Sequence, residues 1–316
     1  MPYRLGGLLY MPAFQDNIAD KIARKEIPCL TSLAFCLEDS IRDAYVKEAE
    51  AVLARTLFDL SRRELPEADL PMIFVRTRSA GHLRSLYEEY DVIREMATGF
   101  ILPKFDLGNA EAYLETVRDL NRESRRRVYI MPILESRMIA DLATRREALV
   151  ALKAMLDDAR PYVLNVRVGG NDFSNLYGLR RSIRQTIYDM GVVRDILMDI
   201  LNVFSQEYVV SGPVWDYFDN GSGDEWKMGL ERELALDRLN GFIGKTAIHP
   251  SQLPLIHRSL AVEREDYEDA CALLDWDSHR AGVARSKRGN RMNEFKCHSA
   301  WAKRIKILGD IYGVRE

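Results

Sequence analysis

The 316-residue sequence predicts an α/β chain folded as a (β/α)8 TIM barrel with a C-terminal helical lid or appendage. Three observations lead to this reading. Eight short apolar runs alternate with longer amphipathic stretches. The runs are continuously apolar rather than alternating, as strands of a parallel sheet covered on both faces should be. A polar or charged residue follows nearly every run, at intervals of about one β/α unit.

In chain order the runs are Leu8 to Met11, Leu33 to Leu37, Met72 to Val75, Phe100 to Leu102, Val128 to Leu134, Val163 to Val168, Tyr208 to Val210 and Phe242 to Ile243. Each has strand length and is mostly β-branched, aromatic or leucine. Helical patterns lie between them. Asp43 to Arg63 carries Val46, Ala49, Val52, Leu53, Leu57 and Leu60 at helical spacing. Asn109 to Arg125 opens on a capping residue and carries Ala112, Leu114, Val117 and Leu120. Ser182 to Gln206 is the longest helical stretch, with a break expected at Gly191. Asp224 to Leu239 ends before Gly241, a helix-stopping residue. A doubly wound open sheet is the alternative, but it needs no eighth strand. The barrel is placed at residues 1–260 and the helical lid or oligomerisation segment at 261–316.

Composition narrows the function. Hydrophobic residues make up 47% and charged residues 29%, which argues against disorder. Lys plus Arg number 45 against 48 Asp plus Glu, a net charge of -3, which argues against a nucleic-acid partner for the chain as a whole. Cys29, Cys36, Cys271 and Cys297 form no C-x-x-C pair and read as reduced thiols of a cytoplasmic protein. The first 17 residues have no long apolar core, so secretion is not expected. No apolar run approaches the roughly 20 residues that span a bilayer, so a membrane is not an expected partner.

The strongest signal is where the polar residues fall. Glu38 and Asp39 follow the second run, Arg76 the third, Lys104 the fourth and Glu135 the fifth. Asp172 lies just past the sixth, after Gly169, Gly170 and Asn171; Ser211 follows the seventh and Lys245 the eighth. In a barrel all of these are expected at the C-terminal mouth, where active sites sit. Polar strand ends are ordinary, but so regular a set of acids and bases is not. Glu135 and Asp172 on neighbouring strands suit one hard cation such as Mg2+, which takes one or two carboxylates plus water and substrate oxygens. Histidine and cysteine clusters that would suit zinc are missing from the pattern. Glu38 and Asp39 suit water-mediated contacts to the ion. Arg76 offers a planar fork for a substrate carboxylate or an enolate oxygen. Cation plus Arg is the combination that stabilises an enolate when a C–C bond beside a carbonyl breaks.

These residues sit in pieces that resemble the HpcH/HpaI aldolase and citrate lyase β-subunit family: LLYMPAF (8–14), FCLEDSI (35–41), IFVRTR (73–78), ILPK (101–104), PILES (132–136), VGGNDFS (168–174) and GFIGKTAIHPSQL (241–253). They occur in family order over about the first 260 residues. The resemblance implies a Mg2+-dependent barrel lyase, often trimeric or hexameric, that cleaves or forms C–C bonds in hydroxy acids and their CoA thioesters. It implies Glu135 and Asp172 as metal ligands, and Arg76 as the group that binds the substrate carboxylate and stabilises the enolate. It further implies Glu38 and Asp39 as the residues that order the metal's waters. Lys104 would orient substrate or serve an ion pair, with Gly170 and Asn171 beside the substrate. Gly289 to Glu294 is similar to the family's Gly-x-Met-x-Asp lid piece, one residue longer and with Glu for Asp. Glu294 is then expected as a lid acid/base acting in a neighbouring subunit, or alternatively as a surface partner of Arg291. Thr77-Arg78 replaces the family's usual Val-Asn, and the C-terminal part looks like a divergent branch found with tellurium-resistance-associated gene clusters.

Other local features have two readings each. Gly244-Lys245-Thr246 is similar to a P-loop tail, but position 239 is Leu where a P-loop needs Gly, and Pro250 stops a long helix. His249 reads as a hydrogen-bonded structural residue in preference to a base. Trp215, Tyr217 and Phe218 suit a pocket wall or core packing equally, and 219–223 a lid loop or an exposed turn. From Arg280 to Lys306 nine basic residues face one acid, Glu294. That suits a solvated face, or attraction to a CoA or phosphorylated substrate. The leading expectation is a cytoplasmic Mg2+-dependent C–C lyase or aldolase on a small carboxylate substrate. The alternatives are a phosphoenolpyruvate-type carbon-transfer enzyme and a non-catalytic barrel subunit of a larger complex.

Overall fold

The computed structural model describes all residues except 16, 64 and 276–281. It contains two compact units, Met1–Ile256 and His257–Glu316. The first holds eight parallel strands: β1 (Gly7–Pro12), β2 (Ser32–Cys36), β3 (Met72–Arg76), β4 (Gly99–Leu102), β5 (Tyr129–Leu134), β6 (Val166–Val168), β7 (Val210–Ser211) and β8 (Lys245–Ala247). Their order is β7-β6-β5-β4-β3-β2-β1-β8. A parallel bridge between Gly212 and Lys245 joins the two ends. There the Gly212 N–H donates to Gly244 O at 2.9 Å, and the sheet closes into a (β/α)8 barrel. Around it run α1 (Ile18–Ala23), α2 (Val46–Ser61), α3 (Ala80–Glu89), α4 (Asp91–Met96), α5 (Ala110–Glu123), α6 (Arg137–Ala140), α7 (Leu142–Asp158), α8 (Gly170–Leu176), α9 (Gly191–Phe204), α10 (Glu225–Asn240) and α11 (Leu253–Leu260).

The hydrophobic pattern explains this arrangement. Strands β2 and β4 are buried along their whole length, as their unbroken apolar runs require. Helix α5 buries Tyr113, Leu114, Val117 and Leu120, a stripe at helical spacing, and turns its charged residues outward. Leu8, Ala34, Phe74, Ile101, Met131 and Ile133 form one core cluster from β1 to β5. On β6 to β8 a polar set stands in their place. The Asn165 side-chain amide donates to Ser211 Oγ at 3.0 Å, and Arg167 donates to Asn165 Oδ1 at 3.3 Å and to Thr246 Oγ1 at 2.7 Å.

Two elements differ from expectation. The run Phe242 to Ile243 is not the eighth strand; β8 begins at Lys245. Gly244 between them has φ +75°, and a side chain there would overlap the Gly6 carbonyl, so the chain turns at that point. The stretch Ser182 to Gln206 is not one helix broken at Gly191. Thr186 and Asp189 cap each other around a 3-10 turn at Ile187–Asp189, and α9 starts at Gly191. Asp224 to Leu239 behaves as expected: α10 ends at Gly241 in the left-handed conformation.

The second unit pairs two helices, α12 (Arg264–Leu274) and α13 (Phe295–Tyr312), which bury Ala270, Leu273, Ala302, Ile305 and Leu308. Strand β9 (Val262–Glu263) pairs in parallel with β12 (Val314–Arg315). Strand β10 (Val283–Arg285) pairs antiparallel with β11 (Met292–Glu294). Among the described residues no helix is long and apolar enough to cross a membrane.

Candidate active site

Strand register brings the expected residues together. Pro12, Cys36, Arg76 and Ile101 form one row across β1 to β4. Leu102 pairs with Pro132, and Leu134 with Val168. Glu38, Arg76, Lys104 and Glu135 therefore all emerge at the C-terminal ends of their strands, and Asp172 follows on α8. Arg76 Nη2 reaches Glu38 at 2.8 Å, Asp39 at 3.2 Å and Glu135 at 3.1 Å. The Lys104 ammonium pairs with Glu38, and with Asp39 at 3.0 Å. Lys104 also holds a left-handed backbone, φ 49°, an unusual conformation for a residue with a side chain. That turn coincides with its N–H donating to Glu135 Oε1 at 2.9 Å.

This cluster borders a cavity of about 280 Å³ lined by Tyr10, Asp39, Arg76, Glu135, Arg167, Asp172 and others, including Gly170 and Asn171. Glu38 and Lys104 do not line it; they pair with Arg76 and Asp39, which do. Glu135 Oε1 is occupied by Arg76 and the Lys104 N–H, while Oε2 has no hydrogen-bond donor and lies over Gly169, where a side chain would overlap it. Asp172 has no side-chain hydrogen bond or ion pair among the described residues. Asn171 donates to Asp216 Oδ1 at 2.7 Å.

Glu38, Asp39, Glu135 and Asp172 share this mouth with Arg76 and Lys104, and Asp216 and Arg167 line the same cavity. Burial, opposed by Arg76 and helped by the charge of Asp172, leaves the Glu135 carboxyl pushed up to about 8. Burial and a hydrogen bond with Asp39 raise Glu38. For Asp39 burial is outweighed: hydrogen bonds with Glu38 and Lys104 and the charge of Arg76 hold it below the usual carboxylate range. Arg76 is largely buried and Lys104 is exposed, and the acidic neighbours of both keep them firmly protonated. Among the described residues no three His, Cys, Asp or Glu side chains converge as a metal-binding group. The donor set nevertheless fits Mg2+, which needs few protein ligands and takes the rest from water and substrate. Glu135 Oε2 and Asp172 are oxygen donors without partners, in a site where negative groups outnumber positive ones.

Two expected mouth residues are elsewhere. Lys245 is the first residue of β8, paired with Gly7 at the opposite end of the barrel, fully buried against Glu233 at 2.8 Å and Asp237 at 2.7 Å. Ser211 is buried inside the barrel, donating to Ile243 O at 2.8 Å. His249 is a structural cap: it accepts from the Ser251 N–H and stacks on Phe218 at 4.7 Å. Trp215 is fully buried, its indole N–H bonded to Trp226 O at 3.2 Å, so it serves packing. Glu294 ends β11 and precedes α13, with its N–H bonded to His298 Nδ1 at 2.9 Å. Arg291 pairs instead with Asp266 and Asp269. Lys287 and Arg288 likewise pair with Glu268 and Glu265, so acids of α12 neutralise much of the basic stretch; its Arg280 lies outside the described residues. Sequence reasoning missed Tyr10, Arg167, Asp216 and Thr246, which also line the cavity. The signal for Arg167 was a lone charge inside an otherwise buried strand.

The family model for C–C bond lyases of the TIM-barrel fold matches residues 1–314. The chain belongs to this C–C bond lyase family. Over 297 residues it is 25% identical to the citrate lyase subunit beta-like protein of Deinococcus radiodurans, covering 93% of this chain and 92% of that protein. A citrate lyase of Burkholderia xenovorans LB400 shares the fold, with a TM-score of 0.72 and 17% identity over 98% of this lyase-family chain and 92% of the other. The CitE protein of Mycobacterium tuberculosis, solved with magnesium, acetoacetate and coenzyme A, also shares it, with a TM-score of 0.63 and 18% identity over 98% and 100% of the two chains.

Proposed function

We propose that this family member is a Mg2+-dependent C–C bond lyase or aldolase acting on a 2-oxo or hydroxy acid, or its CoA thioester, through an enolate. The observation that carries this reading is the pair of unpartnered carboxylate oxygens, Glu135 Oε2 and Asp172, beside Arg76 on one cavity. Glu135 and Asp172 would hold Mg2+, which when bound supplies positive charge to the developing enolate. Arg76 uses only Nη2 for its three carboxylates; its Nε is buried without a partner. Its Nη1, which touches none of these carboxylates, would bind the substrate carboxylate or the enolate oxygen. When the C–C bond breaks, its electron pair enters the carbonyl-conjugated fragment, and the leaving carbon becomes a carbonyl as its hydroxyl loses a proton. Asp39 and Glu38 would order water at the mouth, and Lys104 fixes both. Asn171 and Gly170 would position substrate.

The magnesium complexes of the M. tuberculosis relatives, one with oxaloacetate and one with acetoacetate and coenzyme A, support this reading. The local pairing of the basic stretch with α12 gives the phosphoenolpyruvate-type carbon-transfer alternative no support. A retained ligand pair with free oxygens counts against a non-catalytic subunit. The same reading makes the protein a cytoplasmic homo-oligomer, a trimer or hexamer, of the tellurium-associated branch, in line with its four free cysteines. The test is calorimetric titration of Mg2+ with and without oxaloacetate or pyruvate. Mg2+ binding that tightens with the acid and disappears in Asp172→Asn is the expected result. Unchanged titration in that variant rejects the assignment.

A further inference from the structure

Arg78 lies outside the cavity lining, yet it grips the turn that carries two acids of the site. Its Nη1 donates to the carbonyls of Leu37 at 3.1 Å, Glu38 at 3.3 Å and Ile41 at 3.2 Å. Its Nη2 pairs with Asp43. The three carbonyls bracket Asp39, which does line the cavity. A guanidinium suits this use, because its donors are fixed in one plane and several acceptors can share them.

Arg78 is itself held in place. It lies two residues beyond Arg76, between the end of β3 and the start of α3. Its N–H donates to His82 Nδ1 at 3.1 Å, and His82 Nε2 meets Glu50 Oε1 at 3.0 Å. Since Nδ1 accepts, the ring proton lies on Nε2 and faces Glu50. Burial holds His82 below the ordinary histidine range, against the pull of Glu50. Glu50, on α2, is buried. Helices α2 and α3 thus set the backbone from which Arg78 reaches over the turn. The acids are held from two sides. Arg76 takes the carboxylates of Glu38 and Asp39, and Arg78 takes the peptide carbonyls around them. Leu37 and Ile41 are buried, so apolar packing fixes the two ends of the turn. Asp39 between them is exposed, and Arg76 and Lys104 both attract its carboxylate. How far that carboxylate moves toward them depends on how firmly its backbone is held.

We infer that Arg78 is a positioning residue for Asp39: it clamps the turn at 37–41 so that the Asp39 carboxylate stays at the cavity edge under the pull of Arg76 and Lys104. The clamp itself stands on the hydrogen bonds alone. Its consequence for turnover rests on the lyase reading, in which Asp39 orders water at the mouth.

The variants are Arg78→Met, Arg78→Lys, Asp39→Asn and the double variant Asp39→Asn with Arg78→Met. Backbone hydrogen exchange reads the turn. Exchange of the pyruvate methyl protons in D2O with Mg2+ reads enolate formation: a C–H bond breaks, its proton passes to water and its electron pair to the enolate. In Arg78→Met, amide exchange at 37–41 is expected to rise by about ten-fold or more, with the β2 and β5 amides unchanged. Pyruvate exchange should fall by about 10–100-fold, as for a group displaced by about 1 Å, with Mg2+ affinity by calorimetry within about two-fold of the wild type. Arg78→Lys, which keeps a charged donor, recovers part of both effects. In the Asp39→Asn background Arg78→Met should cost less than about three-fold, since the residue it positions is already disabled. Unchanged amide exchange at 37–41 overturns the clamp. A full second loss in the Asp39→Asn background, or faster exchange throughout the barrel, makes Arg78 a general structural tie and overturns its role for Asp39. Wild-type protein that exchanges no pyruvate protons rejects the lyase reading, and the clamp then stands or falls on amide exchange.

Discussion

The barrel buries two groups of charges, one at each end, built from the same residue types and put to opposite use. Around Lys245, Glu233 and Asp237 the charges pair with one another. The ammonium touches both carboxylates, the Tyr188 hydroxyl donates to Asp237 at 2.6 Å, and the Ile187 N–H donates to Glu233 at 2.7 Å. Arg181 lies 3.5 Å from Glu233 and 3.6 Å from Asp216. At the mouth, Arg76 and Lys104 face Glu38, Asp39, Glu135 and Asp172. Two carboxylate groups there offer oxygens to a cavity. Carboxylates held directly by a buried cation mark a structural network; carboxylate oxygens offered to a cavity mark a site prepared for a cation.

That contrast predicts opposite consequences for single substitutions. Lys245→Met leaves two carboxylates buried without their cation and should cost about 3–5 kcal/mol of stability. For a unit of this size the melting temperature falls by about 10 °C. Glu135→Gln keeps the shape of the mouth and removes one oxygen ligand for the ion. Turnover should fall by about 10³-fold, or about 4 kcal/mol in the barrier, while stability changes by less than about 0.5 kcal/mol. Thermal unfolding and steady-state kinetics on both variants check the pair. A Glu135→Gln protein that unfolds early but turns over normally would reverse the roles assigned to the two clusters.

A finer test lies at Gly169. Its missing side chain is what lets the Glu135 carboxyl sit over the backbone. Gly169→Ala should displace that carboxylate and cost about 1–3 kcal/mol through overpacking. Because displacement by about 1 Å can cost about 10²-fold in rate, kcat should drop by about 10–100-fold, with Mg2+ affinity weakened in parallel. Equal Mg2+ affinity in the variant and the wild type would show that Glu135 does not hold the ion.

The two clusters were not equally legible in the sequence. The mouth was, because a parallel strand announces itself as an apolar run and its end as the first charge. Glu38, Arg76, Lys104 and Glu135 all follow that rule. Lys245 failed it because the run before it, Phe242 to Ile243, precedes the strand rather than forming it. Only the turn at Gly244, set by the approach of the Gly6 carbonyl from β1, puts Lys245 at the bottom. Ser211 failed because β7 is two residues long and its end still lies within the barrel. Arg167 was hidden inside a run counted as apolar. Its place in the cavity wall depends on neighbours brought from β1 and β8, Tyr10 and Thr246.

The smallest expected effect concerns Glu294, which belongs to the other unit and extends the comparison to a third carboxylate. Unlike Asp237 it has no basic partner among the described residues, and unlike Glu135 it borders no such cavity. The Cys297 thiol beside it is pushed up by a hydrogen bond to this carboxylate. If Glu294 is the lid acid/base of a neighbouring subunit, Glu294→Gln should lower kcat by about 10²-fold with KM and melting temperature nearly unchanged. Mixing Glu294→Gln with Asp172→Asn subunits should then restore activity, because some mixed oligomers assemble one site with both groups intact. An unchanged kcat removes Glu294 from the mechanism, and a lowered kcat without recovery on mixing confines it to its own chain.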